Sequence, residues 1–355
     1  MTRGRDRKAR ITAHLVLVAL AFLLSACAKD APQDFLQPQG PNAAAADRLW
    51  NIVFPIAAAI FFIVEGLLIF AVFKFRHREG RQAAQFHGNT KVEVLLTAIP
   101  ALILAGIAVP TVGTIFDLSE EPANALQVKV VAHQFWWEYQ YPDLGIVTAN
   151  ELHIPTGQPI RIALEGAVTD RVDGSAEVIH SFWVPRLGGT QDIIPGRTNL
   201  LTLQADEPGT YLGQCKELCG IGHGFMRLRV MAQSPDDFDQ WTQSLQAGTT
   251  STETEGERLF LEGAEDGGFA NGPACSSCHV TDATAVEQSS GLAGPNLGGF
   301  ANRTTFAGAV FENNTENLVR WLQDPGAAKP GAKMPDLGLT QDQIDALVAY
   351  LQSLK

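Results

Sequence analysis

Cysteine, methionine and histidine are scarce in this chain, with five, four and eight copies among 355 residues. So few cysteines exclude a disulfide-stapled scaffold, and the scarcity lets each soft side chain be accounted for individually. Charged residues are also thin at 18%, against about 25% in ordinary soluble domains. A basic surface is missing, since the formal net charge is −12, and without one a nucleic-acid partner is excluded. What is present instead is an apolar content of 46%, more than a purely soluble chain requires, and it is distributed unevenly.

Arg3, Arg5, Arg7, Lys8 and Arg10 precede ITAHLVLVALAFLLSA, an apolar run short for a bilayer crossing. Residues 1–26 read as a signal peptide. Leu24-Ser25-Ala26-Cys27 resembles a bacterial lipobox in which Cys27 becomes the lipidated N-terminus; an ordinary signal peptide or anchor with an incidental cysteine is the alternative. Residues 27–48 are expected to form an external segment. Two longer apolar stretches, 50–73 and 92–116, predict a transmembrane helical hairpin over residues 49–116. The connection carries Lys74, Arg76, Arg78, Arg81 and Lys91 against the single acid Glu79. The positive-inside rule therefore places it in the cytoplasm and both hairpin ends outside. Glu65 lies within the first stretch and Glu93 at the start of the second. Carboxylates at such depth face protein or a water path, with a plain interfacial position beside Lys91 the alternative for Glu93.

From Leu126 the pattern changes to period two: LQVKVVAHQFWWEYQYP, GQPIRIALEG, EVIHSFWVP and TNLLTLQADEPGTYLGQC alternate and are bounded by turn residues. Residues 117–232 are expected to fold as a β-sandwich or Greek-key barrel. Ser234 and Pro235 then open a helix, and TTSTETEGE follows, so 233–254 reads as a helix and flexible linker. Residues 255–355 show helical patterns and no convincing strand, which predicts a small all-α domain.

Apart from Cys27, the cysteines form two pairs, Cys215 with Cys219 and Cys275 with Cys278. A disulfide within either pair would close only a tiny loop. Cys275, Cys278 and His279 make CSSCH, the attachment pattern of a c-type haem: the thiols can add to the two vinyl groups, and the histidine becomes an axial ligand. His279 is the only histidine after the linker, so a zinc site there would lack a usual fourth ligand. Met334, the sole methionine of that domain, is the candidate sixth iron ligand and suits an electron carrier.

The first pair sits in CKELCGIGHGFM, residues 215–226. A single blue-type copper needs one thiolate, imidazoles and a weak axial ligand, which leaves one thiolate here surplus. Two facing thiolates can instead bridge two copper ions, each needing one imidazole and one weak ligand. His223 and Met226 come from the loop; the second imidazole must come from His133, His153 or His180, and clustering in EVIHSFWVP favours His180. Glu217, between the cysteines, is placed to offer its backbone carbonyl, which leaves its carboxylate free. Another membrane-anchored copper or haem electron carrier remains an alternative. So does a thiol-redox sensor, which explains the cysteine pairs but not His223, Met226, His279 and Met334 together.

GERLF, CSSCH, GPNLGG and KMP, followed by a C-terminal helix, resemble class I cytochromes c. The hairpin followed by HQFWWEYQYP, VIHSFWVPRLG, DIIPGR and CKELCGIGHGFM resembles subunit II of haem–copper cytochrome c oxidases over residues of about 50–231. With the fused haem domain the arrangement is similar to the caa3 type. The resemblance implies a cupredoxin-like domain with dinuclear copper A held by His180, Cys215, the Glu217 carbonyl, Cys219, His223 and Met226. It implies a magnesium shared with subunit I at the Glu217 carboxylate, and Glu93 near the mouth of a proton path. It further implies subunit I and other oxidase subunits as partners, a cytochrome bc-type complex or cytochrome c as donor, and a bacterial inner membrane with the copper and haem domains on its external side. The family's aromatic run after His-Gln begins with tryptophan, the electron entry point, whereas here that place is Phe135, followed by Trp136 and Trp137. The tethered haem is therefore expected to dock differently, with Trp136 as candidate contact and plain packing as the alternative. Tethering makes the haem-to-copper encounter intramolecular, with an effective concentration of about a millimolar for a short flexible linker.

Overall fold

The structure, a computed structural model, describes residues 14, 17–18, 31–76, 80, 87–167, 178–250, 253–264, 268–289 and 292–355. The chain divides into Met1–Asp34 and Phe35–Lys355. The signal-peptide reading lies outside the described residues apart from His14, Leu17 and Val18, which are helical, and the lipidation reading of Cys27 lies outside them altogether. So do Arg78, Glu79 and Arg81 of the basic connection.

Helices α1 (Pro41–Phe75) and α2 (Thr90–Ser119) form the expected hairpin, with mean hydropathy of 2.7 and 2.3 in their most apolar windows. Both are long and apolar enough to cross a membrane. Asn89 caps α2 by accepting from the N–H groups of Lys91 and Val92. α1 starts earlier than the apolar run. Its first turns belong to the extramembrane domain, where Ala43 and Ala45 are buried and the preceding Gln39 exchanges backbone hydrogen bonds with Arg186 and Asp206. Helix propensity and this docking, rather than hydropathy, set the start, so the external segment 27–48 is partly helix.

Ten strands follow. One sheet has the order β3 (Ile146–Ala149), β2 (Trp136–Tyr141), β1 (Leu126–His133), β5 (Ile160–Gly166), β8 (Asn199–Leu203). The other runs β4 (Glu151–Pro155), β10 (Arg227–Gln233), β9 (Gly209–Cys215), β6 (His180–Trp183), β7 (Thr190–Ile193). Two five-stranded sheets around one core make the cupredoxin-like sandwich. The alternation read in LQVKVVAHQFWWEYQYP survives as register: Val130 faces Tyr139 and Ala132 faces Trp137 across the β1–β2 ladder, and all four are buried. Period two puts them on one side, whereas Lys129 and Gln140 pair on the other. The stretch is two strands rather than one, reversed at Gln134 and Phe135.

Trp137, fully buried, meets Phe182 of the opposite sheet edge-on at 5.4 Å and His180 at 6.3 Å. Helix α3 (Pro235–Gln246) begins where expected, with Ser234 accepting from the Asp237 N–H. It covers the sandwich with Phe238 and Leu245, and its Trp241 stacks on His153 at 4.2 Å.

The C-terminal domain is built from α4 (Glu255–Glu262), α5 (Thr315–Gln323) and α6 (Gln341–Leu351). Thr254, Asn314 and Thr340 cap them, the last in a full capping box with Gln343. Leu259, Phe260, Leu318, Leu322, Leu347 and Leu351 form its core. Two ladders depart from the all-α expectation: Gly268–Phe269 with Gly272–Pro273, and Thr305–Phe306 with Phe311–Glu312. Two-residue strands are too short to produce an alternating pattern.

The buried Tyr141 hydroxyl donates to the His153 carbonyl at 2.8 Å and accepts from the His153 N–H at 2.9 Å. Tyr141→Phe leaves both buried groups unsatisfied and is expected to cost about 1–3 kcal/mol, read as a lowered midpoint in chemical denaturation of the sandwich.

Candidate metal centre and crevice

The loop between β9 and β10 has its ends fixed by a ladder, which closes with the Cys215 N–H donating to the Met226 carbonyl at 3.0 Å. Cys215 is the last residue of β9 and faces Phe182 of β6, so His180, two residues earlier, arrives at the same end of the sheet. His180 Nδ1 lies 3.9 Å from the Cys215 sulphur, and the Cys219 sulphur lies 3.9 Å from it on another side. His223 Nδ1 and the Met226 sulphur stand 3.7 and 3.9 Å from the Cys219 sulphur. The Glu217 carbonyl is 3.2 Å from the Cys215 sulphur. All six ligand candidates thus converge. Ligand atoms of His180, Cys215 and Cys219 lie within 4.8 Å of one another in a buried setting, a spacing a metal can bridge. The four described cysteines are free. The hydrogen bond with Cys219 holds the Cys215 thiol down at about 3 despite burial, while the hydrogen bond with Cys215, together with burial, raises that of Cys219.

The other two histidines are engaged elsewhere. His133 Nε2 lies 3.1 Å from the buried Glu138 carboxylate, and its ring stacks on Trp136 at 3.9 Å. His153 Nδ1 lies 2.9 Å from the Gln233 amide oxygen. The choice of His180 among the three therefore has a structural basis. Glu217 itself is exposed.

In the C-terminal domain Cys275, Cys278, His279 and Met334 line one apolar crevice, with Phe260, Leu297, Phe300, Trp321 and Leu347 among its walls. Its cavity volume is about 200 Å³, continuous with an open mouth. His279 Nδ1 lies 2.8 Å from the Pro295 carbonyl, which can only accept. The ring proton is thereby held on Nδ1, leaving the Nε2 lone pair for a metal. Burial also pushes the imidazole pKa down, which keeps it neutral. Two free thiols, a neutral imidazole, a thioether and apolar walls fit a c-type haem.

Comparisons with known proteins agree with one another from residue 28 onward. Residues 126–233 match the periplasmic domain of cytochrome c oxidase subunit II, 28–113 its transmembrane domain, and 254–355 the cytochrome c family. Cytochrome c oxidase subunit 2 of Alkalihalophilus pseudofirmus is 34% identical over 359 residues, covering 96% of this chain and 96% of that protein. The protein of the same name from Bacillus sp. strain PS3 is 33% identical over 363 residues, covering 95% of each. The chain belongs to the cytochrome c oxidase subunit II family.

A solved periplasmic domain of subunit II from Bradyrhizobium japonicum is 31% identical, covering 35% of this chain and 94% of its own, with a TM-score of 0.31. Membership makes this chain an oxidase subunit anchored in a membrane, and its domains imply copper A and haem. In this subunit II the crevice is not closed by its own domain. Gln134, Phe135 and Trp136 of the sandwich line it together with the cysteines and Met334. The Gln134 amide reaches the Cys219 carbonyl on the other side. The short segment Gln134–Phe135 therefore touches both the copper loop and the crevice. Backbones meet as well: Gly331, at φ +86°, leaves no room for a side chain, since a Cβ would fall 2.7 Å from the Gly222 nitrogen. Glu65 and Glu93 are exposed on the helix surfaces. Sequence reasoning missed Glu151 and Lys329, which join the two domains and which no motif or spacing marks; Gln134 lies in the quoted aromatic run, but its contact with the Cys219 carbonyl has no signal there.

Gly222 is a close-approach position, where a Cβ would come within 2.3–2.8 Å of the Phe135 ring. Gly222→Ala should displace ring or loop at a cost of about 1–3 kcal/mol, lowering the unfolding midpoint and copper retention. Gly224→Ala, with nothing within 4 Å of the added Cβ, is the control expected to leave both unchanged.

Proposed function

We propose that this chain is the electron-entry subunit of a caa3-type oxidase, passing electrons from a donor through haem c and dinuclear copper A to subunit I, where oxygen is reduced to water. The observation that carries the reading is the convergence of two free cysteine sulphurs, 3.9 Å apart, with two imidazoles, a thioether and a carbonyl. His180, Cys215, Cys219, His223, Met226 and the Glu217 carbonyl hold the copper pair. Cys275 and Cys278 would hold the haem covalently through their thiols, and His279 and Met334 would ligate its iron. Bound in these places, the two groups supply one-electron carriers of nearly constant geometry.

The chain's own residues do the rest. Pro295 orients His279, the β6–β9 ladder orients His180 and Cys215, and burial excludes water from the sulphurs. Phe135 and Trp136 occupy the space between crevice and copper loop, and we assign the electron path there. The exposed Glu217 carboxylate faces subunit I and takes a magnesium at that boundary. Glu93 sits at the entrance of a proton path. Cys27 is the lipidated N-terminus of a multi-pass protein of a bacterial cell membrane, with both redox domains outside. The donor is a cytochrome bc-type complex or a soluble cytochrome c, and the domain limits are those of the sequence reading with α1 extended to Pro41.

Electron paramagnetic resonance of the oxidised, copper-loaded chain tests the reading. A hyperfine pattern from one unpaired electron shared by two coppers is expected, and His223→Ala should convert or abolish it while leaving the haem band intact. A single-copper spectrum, or none, would reduce the 215–226 loop to a thiol-redox element.

A further inference from the structure

Two buried charges of opposite sign cross between the sandwich and the haem domain in opposite directions. Glu151, on β4 and 1% exposed, places its carboxylate in the haem domain. There it accepts hydrogen bonds from the N–H and hydroxyl groups of both Thr304 and Thr305, at 2.5–3.1 Å. Lys329, in the haem domain and 4% exposed, sends its ammonium the other way. It donates to the Phe135 carbonyl at 2.8 Å and to the Ala307 carbonyl of its own domain at 2.9 Å. Backbones bond across the same boundary: the Arg227 N–H to the Gly308 carbonyl at 3.0 Å, and the Val147 N–H to the Ala283 carbonyl at 2.8 Å.

Removing a carboxylate and an ammonium from water is costly unless several well-aligned hydrogen bonds replace the solvent. Surfaces that meet transiently keep their charges at the rim, where they steer encounter and remain hydrated. The boundary here has the opposite arrangement, with both charges buried and hydrogen-bonded.

We infer that Glu151 and Lys329 lock the haem domain onto the sandwich as a fixed body, covering Phe135 and Trp136 and confining outside donors to the haem. The confinement of donors rests on the electron-transfer function proposed above; the lock rests on the geometry alone. Lys329 is a positioning residue in this scheme. Its ammonium fixes the carbonyl of Phe135, next to Gln134, whose amide holds the Cys219 carbonyl. The linker then adds little to a contact that already persists.

The test uses the full chain in detergent, with a protease site inserted between Ser251 and Thr252. After cleavage the wild-type halves are expected to co-elute in gel filtration at micromolar concentration. Cleaved Lys329→Met and Glu151→Gln chains should associate at least about tenfold more weakly each, which is about 1.4 kcal/mol, and the double variant should separate. Lys329→Arg should retain co-elution. An unchanged haem band shows that each variant has folded; if Lys329→Met loses it, Glu151→Gln carries the test. Stopped-flow mixing with soluble ferrocytochrome c supplies the second readout. In the uncut wild type the copper band is expected to bleach only after the haem band. In the cleaved double variant with its haem half removed it should bleach directly. Wild-type halves that part on cleavage, or copper bleaching ahead of haem in the uncut chain, would overturn the inference. Loss of the two-copper resonance alone would sink the electron-transfer reading while leaving the co-elution result to judge the lock.

Discussion

Two sulphur atoms 3.9 Å apart in a buried loop cannot both be charged unless a cation lies between them, because like charges at that range repel strongly in a medium that water does not screen. Much of the molecule serves this constraint. The β6–β9 ladder brings His180 to the first sulphur, the β9–β10 ladder closes the loop from the other side, and Trp137 in the core backs the His180 ring. The sandwich supplies rigidity where a flexible loop would let the thiols separate and pair with other groups.

The same rigidity passes to the second redox domain. Gln134 and Phe135 form the reversal between β1 and β2, so their positions follow from the register of the core rather than from a free loop. Phenylalanine where the family resemblance implies tryptophan fits this environment: the ring is packed under Gly222 and faces the crevice, with no water-exposed edge at which an indole N–H would find a partner.

The sandwich, the hairpin and the three main helices of the haem domain were legible in the sequence because each rests on periodicity or capping, which are local. The convergence of the candidate ligands was legible because soft side chains are so few that counting nearly selects them. Geometry was needed to separate His180 from His133 and His153: each is a histidine on or beside a strand, and only the tertiary partners, Glu138 and Gln233, remove the latter two. The two-residue ladders escaped notice for want of length. Glu151 and Lys329 escaped because a buried charge looks like a surface charge until its partners, more than 150 residues away, are in place.

Helix α1 runs unbroken from the docked turn at Ala43 and Ala45 into its apolar stretch. Its 35 residues span about 52 Å at 1.5 Å per residue, against about 30 Å of bilayer hydrocarbon. The surplus makes it a ruler. The height of the copper loop above the lipid, and the compass bearing it presents to a neighbouring subunit, are both set by the number of residues between Ala45 and the bilayer edge. A single inserted residue would raise the whole upper assembly by about 1.5 Å and swing it by about 100°, so the length of this helix is a specification as strict as any metal ligand.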